Sequence, residues 1–155
     1  MGEIDVQVTG DEELRRKLAQ LELQLEDLRG FWPLLVPVFI GWMGAQFASE
    51  GGWGGHVWAP LSPAYAVYKA ANYPGRSILI REGGLRRAAS EPRREATPRT
   101  LTLTIDDPVS VYHQEGTDRM PARPLIPEPL PPAALRDIDE AATEYVNVLV
   151  RNLGL

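Results

Sequence analysis

The stretch LTLTIDDPVSV, residues 101–111, decides the fold class. Leu101, Leu103 and Ile105 alternate with Thr102 and Thr104, the period of two that sends successive side chains to opposite faces of a half-buried strand. Asp106, Asp107 and Pro108 supply a turn and Val109 and Val111 follow it, so two antiparallel strands are expected. On both sides of this stretch the period becomes helical. Upstream, Leu14, Leu18, Leu21, Leu25 and Leu28 form an apolar seam on one face, with Gly30 placed to end the helix. Thr9 and Glu12 have capping-box spacing, and Asp11, Glu12 and Glu13 put negative charge at the positive end of that helix. Downstream, Leu135, Ile138, Ala142, Tyr145, Leu149 and Leu153 line one face of a last helix. The prolines of residues 127–132 form a stiff linker into it. The expected class is α+β: a small antiparallel β-sheet packed with N-terminal and C-terminal helices, as a single domain over residues 1–155.

Ile4, Val6 and Val8 predict a short first strand, and Arg123 to Ile126 a third strand after the 101–111 pair. From Phe31 to Ser49 no charged residue occurs over 19 positions. Pro33, Pro37, Gly41 and Gly44 within that run favour a buried core helix over a membrane span, starting near Pro33 and bent or interrupted at Pro37. Glu50 to Pro63 carries four glycines with Trp53 and Trp58, a loop whose rings either cover the core edge or meet another subunit. Pro63 to Asn72 reads as a short helix, and Ser77 to Ile80 as a short apolar run.

The formal charge is −5, but residues 76–99 hold seven arginines against three acids, so this stretch is +4 and the remainder −9. With Pro92 and Pro98 it reads as an exposed basic arm or long hairpin loop over residues 76–100. Two-sided charge suits head-to-tail contacts between identical subunits, whereas the acidic total argues against a dedicated duplex-DNA binder. The absence of cysteine excludes disulfides, thiolate metal sites and cysteine nucleophiles. Neither His56 nor His113 has acids at ligand spacing, and no phosphate-loop, serine-hydrolase or zinc-protease motif occurs. His113 and Glu115, read on a strand together with Gln114, have no arrangement for shared acid–base work. The expectation is no catalytic residue, no cofactor and no metal.

Several short segments, in order, carry a resemblance. They are Phe47, Glu50 and Gly51; Trp58, Ala59, Pro60, Leu61, Ser62, Pro63, Tyr65 and Lys69; Ile78, Leu79, Gly84, Leu85 and Arg86. Then come Tyr112, His113, Gln114, Gly116 and Thr117, and Met120, Pro121, Ala122, Arg123 and Pro124. Over about half the chain this pattern resembles the phage virion morphogenesis family, also called tail completion and similar to head-tail joining proteins. It departs from the family at Gly83 and Leu125 and is shorter between Tyr112 and His113. The resemblance implies a non-enzymatic structural protein of the virion, present in the host cytoplasm during assembly, that completes or terminates the tail and joins it to the head and neck. It implies a ring of identical subunits, with six the expected number, meeting the tail tube protein and neck or connector proteins. Genomic DNA would pass the lumen without specific binding, and no membrane is involved. A DNA-contacting connector or packaging protein using the arginines is the alternative. The residues expected at the subunit interface are Trp53, Trp58, Leu61, Arg86, Arg87, Arg93, Arg94 and Arg123. Arg123, fixed between Ala122 and Pro124, is suited to hold a carboxylate of its own or a neighbouring subunit.

Overall fold

The structure is a computed structural model and describes residues 11–155. The strand expected at Ile4 to Val8 and the Thr9 cap lie outside the described residues. Among the described residues, six α-helices accompany one two-stranded antiparallel sheet, a small α+β fold.

Helix α1 (Asp11–Glu26) stops before Gly30 because Asp27 intervenes. The Asp27 carboxylate accepts from the Arg29 amide at 3.1 Å and caps a 3-10 turn, Leu28–Gly30. Helix α2 (Trp32–Ala48) then begins with Pro33 in its first turn, as expected, but runs without interruption through Pro37. Pro37 costs one backbone hydrogen bond, and the burial of Val36, Phe39, Met43, Gln46 and Phe47 on either side holds the helix together. The uncharged run is therefore the central core helix, and no described helix is long and apolar enough to cross a membrane.

Helix α3 (Pro63–Asn72) has the expected bounds, with Ser62 as its cap and Pro63 at its first position. Helix α4 (Gly84–Ser90) lies inside the stretch expected to be an exposed arm. It buries Leu85 and Ala89 against α2, so the arm is partly core; Leu85 and Ala89 sit four apart on one face, a signal obscured by Arg86 and Arg87 between them. The short apolar run Ser77 to Ile80 forms a turn.

Strand β2 (Leu101–Thr104) is where the alternation placed it, but its partner is β1 (Arg93–Ala96), in register Arg93 to Thr104 and Ala96 to Leu101. The expected partner, Val109 with Val111, belongs instead to the entry of helix α5 (Ser110–Glu115). Asp107 explains the difference: its carboxylate accepts from the Val109 amide at 2.9 Å and its carbonyl from the Ser110 amide at 3.1 Å, which starts a helical turn. The hairpin tip is tied down, since Pro98 O accepts from the Leu28 amide at 2.8 Å and Thr97 O from the Trp32 indole at 2.7 Å.

Arg123 to Ile126 does not form a third strand either. Pro124 and Pro127 lack the amides that a ladder needs; the Arg123 amide donates to His113 O at 2.7 Å, and the Gln114 side chain satisfies the Leu125 and Ile126 amides. Helix α6 (Pro132–Asn152) follows the proline linker and packs on α2. Tyr145 contacts the Phe31 ring at 5.3 Å, and the Trp42 indole donates to Asp137 at 2.7 Å. The core centres on Phe39, Met43, Phe47, Trp58, Ile80, Leu85, Ala89 and Leu125. Each large member contributes about 1.5–3 kcal/mol by leaving water.

Candidate functional site

The segments quoted for the resemblance are far apart in sequence and meet in space. Gly51 begins the arrangement with φ at 92°, and a Cβ there would lie 2.4 Å from His56 O and 2.6 Å from the Trp58 ring. Only glycine lets the loop fold this tightly. The loop delivers Trp58 into the core, edge-on to Phe47 at 5.5 Å, with its indole N–H donating to Pro124 O at 2.8 Å. Buried Gln46 donates to the same carbonyl at 3.0 Å and accepts from the Gly54 amide at 3.0 Å. Arg123 reaches back, donating to Ala59 O at 2.7 Å and Pro60 O at 2.9 Å. Gln114 behaves as a strand partner for the proline segment: its Oε1 accepts from the Leu125 and Ile126 amides at 2.9 and 3.0 Å, and its Nε2 donates to Ile126 O at 2.7 Å. Glu50 accepts from the Ile78 amide at 2.7 Å, and Lys69 donates to Ser77 O. In each case a side chain from one motif satisfies the backbone of another segment, which is how irregular chain can be buried at low cost.

The frame borders an open-mouthed cavity of about 610 Å³, lined by residues of α3, α4 and α5 and of the 119–123 segment. Lys69 and Arg123 line it while almost fully buried, and His113 stands in the wall. Burial, and next the Arg123 charge, lower the His113 pKa from its ordinary value, against a smaller raising effect of Asp107. Burial likewise lowers the Lys69 pKa, with Glu50 opposing and Arg123 reinforcing the change. Among the described residues no group of three histidines, aspartates or glutamates could hold a metal ion.

The residues expected at a subunit interface divide into two sets. Trp58 and Arg123 are 3 % and 5 % exposed and are engaged within their own chain, so neither lies on the outer surface. Arg123 holds carbonyl oxygens, where a carboxylate was expected. Leu61 is half-buried in the cavity wall, and half-buried Trp53 stacks on Trp42 at 5.9 Å. Arg86, Arg87, Arg93 and Arg94 are exposed, Arg93 pairing with Glu95 at 2.5 Å. Arg76, Arg81 and Arg99 are exposed too, so all seven arginines of residues 76–99 face solvent.

Sequence reasoning gave the α1 seam mainly to the interior of its own domain. Leu14 and Leu18 are instead 47 % and 48 % exposed, and Leu25 is 38 % exposed. Only Leu21 and Leu28 of the seam are half-buried, beside Arg99 of the hairpin tip. The Gln114 clamp was also missed, because read on a strand its side chain has no defined partner; helical spacing is what turns it to the proline segment.

Comparison with protein families, with curated proteins and with solved structures finds no match.

Proposed function

We propose that this chain is a structural, non-catalytic subunit of a tailed-phage particle, completing or terminating the tail where it joins the head and neck, as a ring of its own copies. One observation carries the structural part of this reading: the polar side chains of the motif segments are spent on one another's backbone, while Leu14, Leu18 and Leu25 of the α1 seam are exposed. A catalytic centre would need oriented polar groups facing a substrate. His113 Nδ1 has no hydrogen-bond partner, so the ring lacks the orienting group that a nucleophile–base relay uses. The placement in a phage tail rests on the resemblance described above.

The partner for α1 is a second copy. Exposed Glu12, Glu13, Glu22 and Glu26 flank its leucines, with Arg15, Arg16 and Lys17 among them so that Asp11–Glu26 carries a net charge of −2, Glu13 pairing with Lys17 at 3.3 Å; the same chain exposes seven arginines over residues 76–99. Acidic helix against a neighbour's basic surface is a head-to-tail contact, the kind that closes a ring, with desolvated leucines supplying affinity and charge supplying orientation. Light scattering and negative-stain imaging of the purified chain test this. Rings are expected at low salt, and the double reversal Arg87→Glu with Arg94→Glu should weaken them; a monomer under all conditions would overturn the proposal. The exposed arginines also keep the DNA-contacting alternative in view, and salt-sensitive gel shifts of any duplex without self-association would favour it.

A further inference from the structure

Among the described residues only two cationic side chains are buried, Lys69 and Arg123, and both line the same cavity. A buried cation is costly unless strong acceptors or an anion compensate it. Here the hydrogen-bond acceptors are backbone carbonyls, Ser77 for Lys69 and Ala59 with Pro60 for Arg123, which solvate the charges but do not cancel them. Glu50, whose Oε1 accepts from the Ile78 amide, offsets part of the Lys69 charge, and burial outweighs it. Arg81 and Arg119 bring the cations of the lining to four. Against these stand two acids, Asp107, which also accepts from the Val109 amide, and Glu82, 3.6 Å from Arg81, so the cations of the lining outnumber its acids. The buried Nδ1 of His113, in the same wall, has no partner. Leu85 and Met120 make part of the lining apolar.

We propose that this cavity binds a carboxylate carried on an apolar body, the carboxylate meeting Arg123, Lys69 and His113 and the body lying against Leu85 and Met120. The volume suits a small ligand or one side chain of an inserted segment. That chemistry has two sources, a free carboxylic acid or an acidic side chain of a partner protein. The site stands independently of any role in a phage tail.

The two histidines provide an internal control, because His113 lines the cavity and His56 is exposed in the glycine loop. Hexanoate titrated into the full chain should shift the imidazole NMR signals of His113 and leave those of His56, with a dissociation constant of about 1 mM or tighter. Hexanamide, the same body without the charge, should bind about tenfold more weakly. A blocked Leu-Glu-Leu peptide forms the second arm, with its Leu-Gln-Leu counterpart as control. Tighter binding of the acidic peptide than of hexanoate identifies a protein segment as the source, and the reverse order identifies a free acid; both support the site. Lys69→Met should weaken hexanoate about tenfold. Arg119→Gln, at an exposed position where folding is not at stake, should weaken it by a smaller factor. The proposal is overturned if hexanamide binds as well as hexanoate, if Arg119→Gln and Lys69→Met both leave affinity unchanged, or if about 20 mM of every probe leaves His113 unmoved.

Discussion

Helices α1 and α2 lie next to each other in the chain and treat their apolar residues in opposite ways. α1 has a regular leucine seam, yet Leu14 and Leu18 are about half exposed. α2 has apolar residues all round, and its inner face of Val36, Phe39, Met43 and Phe47 is buried. A helical period says that one face needs cover; it does not say which molecule provides it. In α2 the cover comes from α4, α6 and the motif segments, whereas among the described residues α1 meets α6 and the hairpin tip.

The comparison breaks first at Trp58. Trp58→Ala removes a ring that is 3 % exposed and its hydrogen bond to Pro124, and should cost about 3–5 kcal/mol in chemical denaturation. Leu18→Ala, on the uncovered face, should cost the isolated subunit less than about 1 kcal/mol. Equal costs would mean that α1 is as well packed as α2. A sharper cut is Gln114→Met, which keeps the volume but strands the Leu125 and Ile126 amides. About 2 kcal/mol of destabilisation is expected, because unpaired buried donors cost more than the hydrogen bonds they replace. On the other side of the comparison, Leu14→Ser with Leu18→Ser should leave subunit stability nearly unchanged and weaken self-association by about tenfold or more in sedimentation velocity. Loss of subunit stability with unchanged association would place the seam inside its own domain after all.

What could be read in the sequence follows the same division. α3 and the linker into α6 carry strong local signals, a serine cap with proline at the first position and clustered prolines, and the structure keeps them where those signals put them. The β2 alternation was legible too. Its partner was not, because Arg93 to Ala96 is fully exposed and has no alternating pattern to read. Val109 and Val111 suggested a strand by residue type, but the Asp107 turn overrides that preference. The motif cluster could be recognised as a set of segments, whereas its role as a frame depended on contacts such as Arg123 to Ala59, 64 positions apart. A fork of donors between Ala122 and Pro124 announces that something will be held, without saying whether it is a carboxylate or a carbonyl.

The smallest expected effect concerns His113, whose buried Nδ1 lacks a partner among the described residues. His113 has a folded-state pKa below its ordinary 6.5, from burial first and the Arg123 charge second, with Asp107 opposing. The unfolded chain therefore takes up a proton more readily than the folded one as the pH drops through about 6.5. The contribution is complete above that value and declines as the pH approaches the depressed folded value. Stability measured from pH 7.5 down to about 5 should fall in the native chain, and the slope should flatten in His113→Gln, before carboxylates begin to titrate. Hexanoate in the cavity should oppose the decline, since an anion beside Arg123 favours the protonated ring. An unaltered slope in His113→Gln would show that the imidazole sits in solvent and that the cavity wall is open where the structure closes it.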